Sequence, residues 1–155
     1  MNNSRSISIV VLIAVVAISI TWYIGNENIK LEQNTIVAEN NSINLDLIIN
    51  FGNGTVLYFN QTSVPDGFSM YNSTQYIIGE DNIDSTYYSE FNAYFVNSIF
   101  DTANDSNHAW SAWKYEECCK WQVLDVGSNL HILKNKQIIA WYYQDVNEFG
   151  QGNPN

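Results

Sequence analysis

The chain has 155 residues, 46% of them hydrophobic, with six basic against sixteen acidic side chains and a formal charge of −10 at neutral pH. That length suits one domain with a core of its own and little besides. The charge balance excludes nucleic acid as an expected partner, because no basic face is available to neutralise phosphates.

Residues 7 to 24, ISIVVLIAVVAISITWYI, carry no charge over 18 positions, just enough for a helix to cross a hydrocarbon core of about 30 Å. Ser8, Ser19 and Thr21 make no continuous polar face, which argues against a helix buried on one side. The run is long for a cleaved signal and lacks a clean A-x-A site before Gly25. An uncleaved transmembrane signal anchor is therefore expected, with a cleaved secretory signal as the alternative. Arg5 precedes the span, whereas Glu27 and Glu32 flank Lys30 after it, so residues 1–6 are expected in the cytoplasm and the remainder outside the cell membrane. Trp22 and Tyr23 stand where interfacial aromatic anchors or plain helix-end residues would.

From residue 25 onward there are sixteen acidic side chains against five lysines, a net of −11. Solubility is the ordinary meaning of such acidity, and no D-x-[DN]-x-[DN]-G loop supports a bound cation. N-x-[ST] triplets begin at Asn40, Asn53, Asn60, Asn72 and Asn104; on the exterior side of a membrane these are glycosylation candidates.

Residues 25–43 are polar, low in aromatics and without sustained periodicity, which predicts a stalk. A domain over 44–143 follows. NLDLIIN and TVLYFN flank the turn residues of FGNGT and predict a hairpin. VPDG is a turn, and Ser69 caps a short helix whose stripe of Met70, Tyr71, Thr74, Ile77 and Ile78 ends at Gly79. EDNIDS reads as a polar loop. NAYFVNSIF, AWSAWKY, KWQVL, LHIL and IIAWYY read as strands separated by turn-rich segments, and 144–155 reads as a disordered tail. The predicted class is α+β, with one short helix on a mostly antiparallel sheet.

The order of INFGNGT, VPDG leading into a short helix, a strand ending in NSI, a tryptophan-rich strand, a VG loop and a final IIAWYY resembles the transcobalamin-like C-terminal domain family over about residues 44 to 143. The resemblance implies a small β-grasp-like domain, exported and often tethered at the cell surface. In carriers of that type a related domain closes over a corrinoid held by a large helical barrel; the barrel is absent from this sequence, so no cobalamin and no other cofactor is expected. Many members have Gly-Asp where this chain has Lys136 and Gln137, which leaves the turn intact but removes the acid.

WKYEECCKW places Cys118 and Cys119 side by side. Neighbouring Cα atoms 3.8 Å apart fall short of the usual disulfide span, and in a strand the two thiols would face opposite ways. A turn between two aromatic strands is the favoured reading, ahead of a vicinal or intermolecular disulfide favoured by an oxidising compartment. A redox switch ranks lower, and a metal is not expected, since C-x(2–4)-C spacing is missing. No enzyme is expected either. His108 and His131 stand apart from any nucleophile, no G-x-S-x-G elbow occurs, and Glu116 with Glu117 reads as solvated charge.

The aromatics remain. Trp113 with Tyr115, and Trp141 with Tyr143, share parity on their strands and are expected to form core. Trp110, Trp121 and Tyr142 are the candidates for a groove binding a surface protein, glycan or small molecule. The expected function is a membrane-anchored extracellular binding domain. The alternative is a glycosylated structural spacer of the cell envelope without a discrete ligand.

Overall fold

The computed structural model describes residues 41–154. The predicted span at 7–24, almost all of the stalk and Asn40 lie outside the described residues. Among the described residues no helix is long and apolar enough to cross a membrane.

Residues 42–154 form two sheets and one helix. Strands β1 (Ser42–Asn50) and β2 (Val56–Pro65) make the predicted hairpin and lead into helix α1 (Met70–Ile78). A 3₁₀ turn at Glu80–Asn82 precedes β3 (Ile83–Tyr88), β4 (Ala93–Ile99) and the two-residue β5 (Thr102–Ala103). Strands β6 (His108–Glu116), β7 (Lys120–Val123) and β8 (Ile138–Asp145) complete the chain before a second 3₁₀ turn at Val146–Glu148. The larger sheet runs β2-β1-β8-β6-β7 and the smaller β3-β4-β5. Pairing is antiparallel throughout except between β1 and β8, which run parallel. The class is thus α+β with one short helix, but the strands form a mixed sheet and a second, separate one.

Strand parity assigns the faces of the larger sheet. Leu45, Leu47 and Ile49 of β1, Trp110 of β6 and Ile139 and Trp141 of β8 point one way and pack with Met70, Tyr71 and Ile78 of α1 and Ile83, Val96 and Ile99 of the smaller sheet. Helix and small sheet therefore cover the same face. Ser69 caps the helix as predicted, its hydroxyl accepting from the Asn72 amide, and Gly79 ends it at φ 90°. A buried polar chain ties helix to sheet: the Trp141 indole N–H donates to Thr74 Oγ1 at 2.9 Å, and Thr74 Oγ1 donates to the Met70 carbonyl at 2.8 Å. Each buried donor is thereby satisfied.

Ile48, Trp113 and Ala140 point to the opposite face and make a second, smaller core with Val56, Trp121, Val123, Ile138 and Tyr142 around them. Trp113 and Trp141 are both core residues as predicted, 2% exposed each, but they belong to different faces.

Three readings of the sequence are corrected here. The tail is ordered over its described residues, 144–154: Pro154 is buried, its carbonyl accepts from Asn50 Nδ2 at 3.1 Å, and Gly150 and Gly152 lie against Val123 and Tyr142. It covers apolar surface on the second face, which is the physical reason a polar, glycine-rich segment holds its place. EDNIDS is no loop throughout, since Ile83–Tyr88 is a strand; its residues are mostly exposed, so no apolar alternation marks it. LHIL forms no strand but a single bridge, Ser69 to Ile132. Its carbonyl and amide groups go to the start of the helix instead, with Met70 N donating to the His131 carbonyl at 2.9 Å and Leu133 N to the Phe68 carbonyl at 3.0 Å.

Candidate functional site

The β3–β4 hairpin carries the most exposed apolar surface of the domain. Its sequence, YYSEFNAYF over residues 87–95, pairs Tyr87 with Tyr94, Tyr88 with Ala93 and Thr86 with Phe95. The four-residue turn is closed by Phe91 N donating to the Tyr88 carbonyl and by Tyr87 Oη donating to Asn92 Oδ1 at 2.7 Å. Phe91 at the tip is 74% exposed, and Tyr88 and Phe95 are close to half exposed. The hairpin is tied to the neighbouring loop. Asn129 accepts from Tyr94 N at 3.0 Å and donates to the Asn92 carbonyl at 3.0 Å, clamping the β4 side of the turn from that loop. Gly127 permits this approach, because a Cβ there would stand 2.7 Å from that of Ala93. Between hairpin and loop lies a hollow of about 400 Å³, lined by Tyr88, Phe91, Ala93, Tyr94, Phe95 and Gly127, almost wholly apolar.

A second trough, also about 400 Å³, opens on the far face of the larger sheet between Ile48, Tyr58, Tyr115, Trp121 and Ile138, with Asp46 and Asn60 at its rim. Trp121 and Tyr115 pair across β7 and β6 and meet edge to face at 5.5 Å. Asp46 is already engaged, accepting from Gln61 N at 2.7 Å.

The three aromatic residues singled out from the sequence do not come together. Trp121 is half-buried and lines the trough. Tyr142 is half-buried on the same face, with Gly152 of the tail against it. Trp110 is corrected to a core residue: it is 3% exposed on the helix-covered face, its indole N–H donates to the Thr102 carbonyl at 2.8 Å, and Phe51 meets it edge to face at 5.4 Å. Sequence reasoning missed the hairpin aromatics. The signal was there, in two aromatic pairs on either side of SEFN, but the EDNIDS loop takes in the first half of the strand before the turn and the sequence reading assigns TYYSEF to no element.

The asparagines of the triplets differ in their surroundings. Asn53 and Asn60 are exposed. Asn72 sits in the first turn of α1 and accepts from the Ser69 hydroxyl. Asn104 uses both ends of its amide, donating to the Val96 carbonyl at 2.8 Å and accepting from Trp110 N at 3.0 Å.

Cys118 and Cys119 are bonded to each other within an exposed turn at residues 117–119, so the turn and the vicinal disulfide hold together. The histidines stand far from each other in use. His108 stacks on Tyr143 with centroids 5.5 Å apart, its Nδ1 3.3 Å from Asp105. His131 lies in a polar hollow beside Gln137. Burial, then the charge of Lys114, hold its pKa below the ordinary imidazole value. Hydrogen bonds from Asn107 N and His108 N hold the Asp105 carboxyl below its usual range.

Fold and surfaces together define a small two-sheet α+β domain with one helix and open hollows on both sides. It shares its fold with a protein from Ruminococcus gnavus ATCC 29149 described as a "putative metal binding protein", at 10% identity and a TM-score of 0.51, over 66% of this chain and 97% of that one. Haptocorrin in complex with Cbi is similar at 13% identity and a TM-score of 0.49, over 66% of this chain and 25% of haptocorrin, so the match spans a quarter of that protein's length. No family model and no curated protein matches the sequence.

Proposed function

We propose that this chain is a membrane-anchored extracellular binding domain, β-grasp-like and related to the transcobalamin-like C-terminal domains, that grips an apolar partner surface through the β3–β4 hairpin. The observation that carries the reading is Phe91, 74% exposed at the tip of a clamped turn among Tyr88, Tyr94 and Phe95. Contiguous exposed aromatic surface favours association, and aromatic anchors supply most of the binding energy of an interface. A spacer without a ligand has no use for such a surface. The clamp by Asn129 lowers the ordering cost of binding by fixing the hairpin beforehand. Anchoring rests on the uncharged run at 7–24. The metal binding named for the Ruminococcus gnavus protein adds no second reading, because among the described residues no three His, Cys, Asp or Glu side chains are grouped to hold an ion.

Two measurements test this. Protease applied to intact cells should release the domain and leave the first 24 residues with the membrane; full-length protein recovered soluble from the cytoplasm would overturn the anchored reading. Surface-protein capture with the intact chain should yield a partner that is lost with Phe91→Ser/Phe95→Ser at unchanged melting temperature, and capture indifferent to that change would overturn the role of the hairpin.

A further inference from the structure

Residues 41–154 contain four lysines and thirteen acidic side chains. Three of the four lysines, Lys114, Lys134 and Lys136, line a single hollow of about 350 Å³ where β6 ends and β8 begins. His131 and Gln137 share it, and Tyr115 and Ile138 supply its apolar wall. Two acids also reach it. Glu116 is held 3.3 Å from the Lys114 ammonium, so that pair largely compensates itself, and Glu117 alone stands against Lys134 and Lys136. The hollow holds three lysines against two glutamates, whereas the rest of residues 41–154 holds one lysine against eleven acids, and a concave wall concentrates that field.

The cations are presented on a pinned turn. Gln137 N donates to the Lys134 carbonyl at 3.1 Å, Lys136 N donates to the Asn44 carbonyl at 2.6 Å, and Asn44 N donates to Asn135 Oδ1 at 3.0 Å, which ties the turn to β1. The same network fixes His131. Lys134 N donates to Gln137 Oε1 at 3.1 Å, so the amide nitrogen of Gln137 faces His131 Nε2 at 2.9 Å as donor. His131 must accept there, which leaves its proton on Nδ1 and the ring neutral. Gln137 therefore serves as an orienting group, and the positive charge of the hollow comes from the lysines alone.

We propose that this hollow binds a small organic anion, with a carboxylate or phosphate-ester head held by the lysine ammonium groups and its carbon body laid on Tyr115 and Ile138. Tyr115 and Ile138 also line the Trp121 trough, so a longer body runs from the charged hollow onto the aromatic face. The site is separate from the hairpin and does not depend on the reading given to it.

The test is an NMR titration of the full chain in uncharged detergent with phenyl phosphate, inorganic phosphate and phenol as probes. Phenyl phosphate should shift the His131 imidazole and the Lys134–Gln137 amides to saturation; inorganic phosphate should need about tenfold more, because it leaves the apolar wall bare, and phenol should be weakest. Lys134→Gln/Lys136→Gln should weaken phenyl phosphate at least about tenfold, and Lys120→Gln, outside the hollow, should leave it unchanged. Should the double variant unfold, Lys134→Gln alone makes the comparison. Shifts that fail to saturate, binding indifferent to the lysine changes, or phenol binding as well as phenyl phosphate would each overturn the proposal.

Discussion

Tyr71 of α1 and Tyr94 of β4 lie face to face, with ring centroids 4.7 Å apart and planes 6° from parallel. The contact joins the single helix to the exposed hairpin, because Tyr71 is buried in the main core and Tyr94 lines the hairpin hollow. Tyr71 is fixed in turn by its hydroxyl, 2.7 Å from Ser85 Oγ on β3. Tyr94→Ala removes the stack and part of a buried ring, and should cost about 2 kcal/mol of stability. Tyr71→Phe keeps the stack and loses only the hydroxyl contacts, so about 1 kcal/mol is expected. Urea denaturation of both variants gives the comparison; an equal loss in the two would show that the stack contributes nothing beyond the hydroxyl.

Gly52 and Gly54 share one turn and both have positive φ, 69° and 91°. Their surroundings differ. A Cβ at Gly52 would run into the backbone carbonyl of Tyr143, whereas nothing lies within 4 Å of one at Gly54. Gly54→Ala should cost about 1 kcal/mol, the left-handed penalty alone. Gly52→Ala should cost about 3 kcal/mol or more, since the obstacle is backbone of a central strand and cannot rotate away. Thermal melts of the two single variants decide it.

Stability should depend on pH through His131. Its folded pKa lies below the unfolded value, chiefly from burial, then from Lys114, with Lys134 acting the same way and Glu116 and Asp125 acting against. The unfolded chain therefore takes up the proton first. Stability is at its full value above about pH 6.5 and falls as pH drops below that, until the folded ring also protonates. Glu117 and Lys136 line the same hollow. The gap in denaturation midpoint between the parent and His131→Asn should be constant above about pH 6.5 and change as pH falls below it, the parent losing stability relative to the variant; curves parallel over the whole range would show that His131 contributes no such dependence.

In a host that attaches N-linked glycans, Asn53 and Asn60 should be modified and Asn104 should not. The amide nitrogen of Asn104 is already committed to the Val96 carbonyl, and the acceptor side to Trp110 N. A glycan on that nitrogen would free two buried backbone groups at a cost of about 1–3 kcal/mol each. Intact-mass and peptide mapping read the occupancy directly, and a fully occupied Asn104 in folded protein would refute the assignment.

The features legible in the sequence were those fixed by local chemistry. The N-G hairpin, the Pro65 turn, the Ser69 cap and the Gly79 stop each depend on residues within a few positions, and all are where the sequence placed them. The burial of Trp113 and Trp141 followed from size and parity. What escaped was set by distant partners. Strand β3 is polar and mostly exposed, and its pairing with β4 rather than any alternation makes it a strand. Residues 130–133 look like a strand, yet the start of the helix takes their backbone hydrogen bonds. The tail is glycine-rich and polar, but a sheet face open to solvent holds it.

The sites divide in the same way. Composition alone determined that aromatic side chains exceed what one core needs and that positive charge is scarce. Which aromatics reach the surface was decided by the faces of the larger sheet, where Trp110 turns toward the helix and Trp121 away from it, a one-residue parity set by the register of β6 against β8 and β7. The lysine hollow lies beyond any sequence pattern, because Lys114 and the Lys134–Lys136 turn meet only when β6 and β8 pair, Lys114 opposite Ile139. Local steric preference is written in neighbouring residues; the convergence of charges twenty positions apart is a property of the folded sheet.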